Sequence, residues 1–134
     1  GGLPLDNRLT DLRAFARIGE EGLDLFMSDS TNADVPGFTP LEKDIGPVID
    51  DVISRTPGKV VVASFSSHVH RVQQVLNAAA AHNRKVVLVG RSMVRNMQIA
   101  EDLEYLSAPA DIFIDLKDEV LAVFIRTARD YRIK

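Results

Sequence analysis

Two runs of aliphatic, mostly β-branched residues, Lys59-Val-Val-Val-Ala-Ser-Phe65 and Lys85-Val-Val-Leu-Val-Gly90, bracket a stretch with a different period. Between them apolar residues recur every three or four positions, at Val69, Val72, Val75, Leu76 and Ala79. The short continuous runs suit strands buried on both faces, and the 3.6-residue spacing suits a helix with one apolar stripe. A strand, an amphipathic helix and a second strand in that order favour a parallel sheet, because parallel neighbours need a crossover long enough to hold a helix. The same logic extends along the chain. Leu23, Leu25 and Met27 within residues 22–29, and Asp111-Ile-Phe-Ile-Asp115, are further strand candidates. Leu41, Ile45, Val48, Ile49, Val52 and Ile53 predict another helix, with others at about Thr10–Gly19 and Ser92–Leu103. Thr39-Pro40-Leu41-Glu42 has the order of a capping box, with a hydroxyl at the N-cap, proline at the first helical position and glutamate three residues after the cap. The fold expected is a small three-layer α/β domain with a mostly parallel sheet of about four strands flanked by helices. Val120 to Ile125 is a continuous apolar run, but Leu121, Phe124, Ile125 and Ala128 also share a helical face. Asp118 and Glu119 ahead of it, and Arg126, Arg129 and Arg132 after it, match the helix dipole, so a terminal helix is expected there.

Composition removes several function classes. With 134 residues the chain is expected to form one domain, and its longest apolar runs fall far short of the ~20 residues that cross a bilayer. Gly1-Gly2-Leu3-Pro4 has neither the basic nor the apolar region of a signal peptide and reads as a cut inside a longer chain. The absence of cysteine excludes a disulfide framework, a thiolate metal site and a cysteine nucleophile, and a reducing, cytoplasmic setting is expected. A net charge of −3 gives no overall positive field, so any nucleic-acid contact must be local.

Ligands of open parallel sheets bind beyond the carboxyl ends of the strands. After the first candidate strand comes Ser28-Asp29-Ser30-Thr31-Asn32-Ala33-Asp34, which suits either a polar site or a turn stabilised by its own side chains. After the second comes Ser64-Phe65-Ser66-Ser67-His68-Val69-His70-Arg71, where hydroxyls meet the amides that open a helix. That is anion-binding geometry, and a plain serine N-cap uses the same residues. After the third comes Gly90-Arg91-Ser92-Met93-Val94-Arg95-Asn96: glycine permits close approach, Ser92 is a candidate cap, and Arg91 and Arg95 share a face and offer forked donors to phosphate. Solvated surface arginines would have the same spacing.

No complete catalytic set is present. His68, His70 and His82 are the histidines, and two residues apart on a helix His68 and His70 diverge, so no metal site is assigned. No Gly-x-Ser-x-Gly elbow, Walker lysine loop or Gly-x-Gly-x-x-Gly follows a strand. The residues alone indicate an anion or nucleotide binder.

Three stretches, Asp29-Ser-Thr-Asn-Ala33, Ala63-Ser-Phe-Ser-Ser-His-Val-His-Arg-Val-Gln-Gln74 and Gly90-Arg-Ser-Met-Val-Arg-Asn-Met97, resemble in order and spacing the β-CASP domain of bacterial ribonuclease J. The resemblance runs from about Pro4 to Leu106, and Leu121-Ala-Val-Phe-Ile-Arg-Thr-Ala-Arg-Asp130 replaces the strand expected next, as a foreign or engineered tail would. It implies a two-metal zinc ribonuclease that cuts RNA internally and from a 5′-monophosphate end. RNA would lie in a cleft between the β-CASP and metallo-β-lactamase domains. The metal ligands of such an enzyme, including its His-x-His-x-Asp-His motif, and a later His-Val-Ser-Gly-His segment have no counterpart in this sequence. The resemblance gives Asp29 the place of an acidic residue near the metal centre of the whole enzyme, and Ser67 that of a serine contacting an RNA phosphate. Ser66 and His68 flank it, and Arg91, Ser92 and Arg95 belong to the third stretch. The expected activity is therefore RNA binding, with single-stranded RNA and the metallo-β-lactamase domain as partners, zinc confined to the full-length parent, and no catalysis by the segment alone. A phosphate- or nucleotide-binding module and a structural or redesigned domain without activity are the alternatives.

Overall fold

The computed structural model describes residues 9–30, 33–38, 41–115 and 122–127. The chain divides into two compact units, Gly1–Lys43 and Asp44–Lys134.

In the first unit, helix α1 spans Leu12–Glu21. The carboxylate of Asp11 accepts the Ala14 N–H at 2.9 Å and so satisfies one of the orphan amides of the first turn. Gly22, at φ 83°, ends the helix with its N–H on the Ile18 carbonyl. Left-handed backbone of this kind is readily reached by glycine, and the helix therefore stops here instead of at Gly19. The segment that follows is not the strand expected over residues 22–29. Leu23 is 57%, Leu25 72% and Met27 83% exposed, and no described strand pairs with them. A run of apolar residues alone does not make a strand, because its backbone groups need a neighbouring ladder.

The second unit holds the sheet. A 3-10 turn at Glu42–Asp44 leads into α2, Ile45–Arg55. Thr39 and Pro40, on which the capping-box expectation rests, lie outside the described residues. The later start has a reason in Pro47. An α-helix begun at Leu41 would need an N–H from residue 47 to the carbonyl of residue 43, whereas a start at Ile45 places proline in the first turn, where no such bond is required. At the other end Thr56 is extended, at φ −81° and ψ 116°, as expected for a residue preceding proline. Then follow β1 (Val60–Ser64), α3 (Val69–Ala81), β2 (Lys85–Val89), α4 (Arg91–Asp102) and β3 (Ala122–Thr127).

The sheet order is β1-β3-β2, and both pairings are parallel. Val123 sits opposite Val60 on one side and Val86 on the other, and Ile125 opposite Val62 and Leu88. Residues 122–127 are thus the central strand, not part of the expected terminal helix. The strand is paired on both edges and buries one face completely: Val123 and Ile125 have no exposed surface, while Phe124 on the other face is half-buried. The expected strand over residues 111–115 shrinks to one parallel bridge between Val86 and Phe113 on the outer side of β2. Three strands plus this bridge keep the parallel α/β class.

The crossovers β1–α3–β2 and β2–α4–Phe113 advance across the sheet in the same direction. Right-handed connections then place α3 and α4 on the same face. Val72, Val75, Leu76 and Ala79 of α3 and Met93, Met97 and Ala100 of α4 accordingly join Val86, Val123 and Ile125 in one buried core, with Ile53 of α2. Each fully buried aliphatic side chain contributes about 1.5–3 kcal/mol relative to exposure. On the opposite face Val87 is buried at β2, while Val61 at β1 is 56% exposed. At the amino end of β2, Lys85 Nζ binds the Asp111 carboxylate at 2.8 Å and its carbonyl at 2.7 Å. The hydrogen bond and charge of Lys85 hold the exposed Asp111 carboxyl below its ordinary value. The contribution of this pair is present above the ordinary carboxylate pKa and is lost as pH falls through the lowered one. Exposure to solvent keeps it small.

A central position for β3 predicts that the backbone amides of Val123 and Ile125 exchange with solvent among the slowest in the chain. Ile125→Ala should cost about 2–5 kcal/mol in denaturant unfolding. Exchange of these amides as fast as that of Leu103, which is 61% exposed, would contradict the strand assignment.

Candidate nucleic-acid interface

The carboxyl ends of β1 and β2 lead into two loops that open α3 and α4. The first is a tight turn in which the Phe65 carbonyl accepts the His68 N–H at 3.1 Å, with Ser66 and Ser67 at its apex. Ser64, the last residue of β1, is buried, whereas Ser67 and His68 are exposed. The α3 N-cap is His68, not a serine, and its side chain makes no capping hydrogen bond. Its ring instead meets Phe65 edge-on, with centroids 5.4 Å apart. His68 has non-helical backbone angles, φ −83° and ψ 66°, so the expectation that His68 and His70 diverge along one helix does not apply to this pair. Among the described residues no group of three or more histidine and carboxylate side chains could hold a metal ion. The described side chains do not fit a zinc site.

The second loop turns on Gly90, at φ 103° and ψ 137°. Gly90 is the N-cap of α4, which leaves Ser92 inside the first turn rather than capping the helix as expected. Arg91 and Arg95 are exposed, and neither forms an ion pair with another described residue. With Val94, Gln98 and Ile99 they line an open groove along α4. The buried side chains Met93, Met97 and Ala100 mark the opposite side of that helix.

The link between the two loops comes from a residue that the sequence reading quoted without a role. Asn96 Nδ2 donates to the Ser66 carbonyl at 3.2 Å and to the Ser66 hydroxyl at 3.1 Å. Asn96 lies one residue beyond Arg95, about 100° further around the helix, so α4 reaches the β1 loop through its amide and presents the arginines elsewhere. A sequence signal existed: asparagine is a poor helix former, and here it flanks a buried stripe in mid-helix. Ser66 and Asn96 are thus brought together, as are Arg91 and Arg95.

Asp29 belongs to the first unit and is exposed. Its carbonyl accepts the Ser28 hydroxyl at 3.1 Å, and the Ala33 N–H closes a turn on the Ser30 carbonyl at 3.0 Å, a local pattern of the kind expected for this polar cluster. Thr31 and Asn32 lie outside the described residues.

Both loops fall within a match to the family model for the ribonuclease J β-CASP domain, over residues 57–123. The chain belongs to this family. The match extends past Leu106 and takes in the start of β3. Ribonuclease J of Mycolicibacterium smegmatis is 49% identical over 114 residues, 85% of this chain and 20% of that protein. The protein of the same name from Corynebacterium glutamicum is 49% identical over 115 residues, 86% of this chain and 16% of its own length. That of Synechocystis is 44% identical over 114 residues, 85% of this chain and 18% of its own length. The chain therefore spans about a fifth or less of these relatives. Among the described residues no helix is long and apolar enough to cross a membrane.

The donor set predicts that chain exposed to zinc and then dialysed retains no stoichiometric metal by elemental analysis. One zinc per chain, lost on replacing His68 or His70, would overturn this.

Proposed function

We propose that the chain is an RNA-binding β-CASP domain that forms one wall of the cleft of a ribonuclease J-type enzyme. In this reading the sheet's carboxyl edge takes the phosphate backbone of single-stranded RNA, with Ser66 and Ser67 as the central contacts. Arg91 and Arg95, on the outer side of α4, hold the strand further along by charge. His68 lies beside the serine turn, and Ser92 in the first turn of α4. Asp29 acts only in the whole enzyme, near a metal centre whose ligands come from a metallo-β-lactamase domain outside this chain. Hydrolysis by zinc-activated water then belongs to the parent, and the segment binds without cutting. The observation that carries the reading is the pairing of Ser66 with Asn96, which fastens α4 to the loop after β1 within a segment matching the β-CASP family.

A local basic patch on a chain of net charge −3 predicts weak binding that depends strongly on salt. In fluorescence anisotropy a short 5′-phosphorylated RNA should bind at low salt, and affinity should fall steeply as salt is raised. Ser67→Ala and Arg91→Ala/Arg95→Ala should each weaken binding, and only the arginine pair should flatten the salt dependence. The RNA should stay intact with zinc or manganese present. Preference for a mononucleotide over RNA would favour a small-ligand module. No binding at low salt would favour a structural domain.

A further inference from the structure

We infer that Asn96 is a positioning residue of the RNA site, one that orients the Ser66–Ser67 peptide so that its amide faces a phosphate oxygen. The inference rests on the binding role proposed for the serine turn.

Two acceptors define the contact. The Ser66 carbonyl can only accept, so the Asn96 group facing it at 3.2 Å must be the amide nitrogen, and the second hydrogen of that nitrogen is available to the Ser66 hydroxyl at 3.1 Å. Together they pin the carbonyl and the side chain of one residue. In a trans peptide the carbonyl of one residue and the N–H of the next are antiparallel in one plane. With the Ser66 carbonyl drawn toward α4, the Ser67 N–H is directed away from it. That N–H makes no hydrogen bond with another described residue, and Ser67 is exposed. The Ser66 hydroxyl, accepting from Asn96, keeps its own proton to donate.

Two backbone bonds close the turn, from the His68 N–H to the Phe65 carbonyl and from the Val69 N–H to the Ser67 carbonyl. Neither engages the Ser66–Ser67 peptide, and His68 supplies no side-chain cap. A peptide at the apex of a turn that is free to rotate presents a donor in one orientation and an acceptor in the other. An acceptor repels phosphate. By holding the carbonyl, Asn96 removes the second orientation before the ligand arrives, which lowers the ordering cost of binding. The ligand class that this arrangement fits is a phosphodiester or terminal phosphate oxygen of RNA.

The test uses this chain, a short 5′-phosphorylated RNA and its 5′-hydroxyl counterpart, with amide shifts and affinity followed by NMR. In the unaltered chain the Ser67 amide should show a downfield proton shift on RNA addition. Asn96→Ala should weaken binding at least about fivefold, the effect of losing roughly one hydrogen bond, and should remove the Ser67 shift. Asn96→Asp, similar in size but unable to donate to the Ser66 carbonyl, should do the same even if Asn96→Ala unfolds the chain. Ser66→Ala keeps the carbonyl contact and should retain the Ser67 shift. A purely structural role for Asn96 would lower the unfolding midpoint but leave the ligand-induced Ser67 shift and the affinity of the folded chain unchanged, and that result overturns the inference alone. If the unaltered chain shows no Ser67 shift with RNA at low salt, both the inference and the proposed binding role fall.

Discussion

The second unit depends on a central strand that comes last among the described elements. β1 and β2 do not pair with each other, and each forms its ladder with β3. Without residues 122–127 the two strands whose ends carry the candidate loops would have no common register. Val123 and Ile125 also supply the middle of the core against which α3 and α4 pack. The spacing between the loops after Ser64 and Val89 is therefore set by a strand distant in sequence from both.

On that frame the side chains at the loops are fixed by a few directed bonds. Gly90 allows β2 to turn into α4 with a positive φ, and α4 then delivers Asn96 to the Ser66 turn. The arginines are placed differently. They are exposed on the side of α4 away from its buried residues, and in the proposed reading they act over distance as charges. The proposed interface thus combines a turn held by hydrogen bonds with a groove lined by Arg91 and Arg95 and open to solvent.

Helix α3, β1 and β2 were legible because their periods are unmixed: a 3.6-residue stripe between two short aliphatic runs. Helix α4, expected at about Ser92–Leu103, runs over Arg91–Asp102. Residues 122–127 were not legible, because a short continuous apolar run has no alternation to distinguish it from a helix segment, and the flanking charges favoured the helix. Residues 22–29 failed in the opposite way, with Leu23, Leu25 and Met27 suited to a strand and no described ladder to receive them. At the site, the serine turn and the glycine turn could be read from residue type. The link through Asn96 could not, because it joins side chains 30 positions apart and depends on how α4 is rotated against the sheet. Ser92 is not the cap, because the helix starts at Arg91 with Gly90, at positive φ, in the cap position.

The central claim is that RNA lies on the loops beyond β1 and β2, and the most direct test is to map where it touches. A single-stranded RNA carrying 4-thiouridine, crosslinked to the chain at low salt and located by mass spectrometry, should mark peptides containing Ser66 to His68 and Gly90 to Asn96. Crosslinks confined to α2, or spread evenly over the surface, would contradict it.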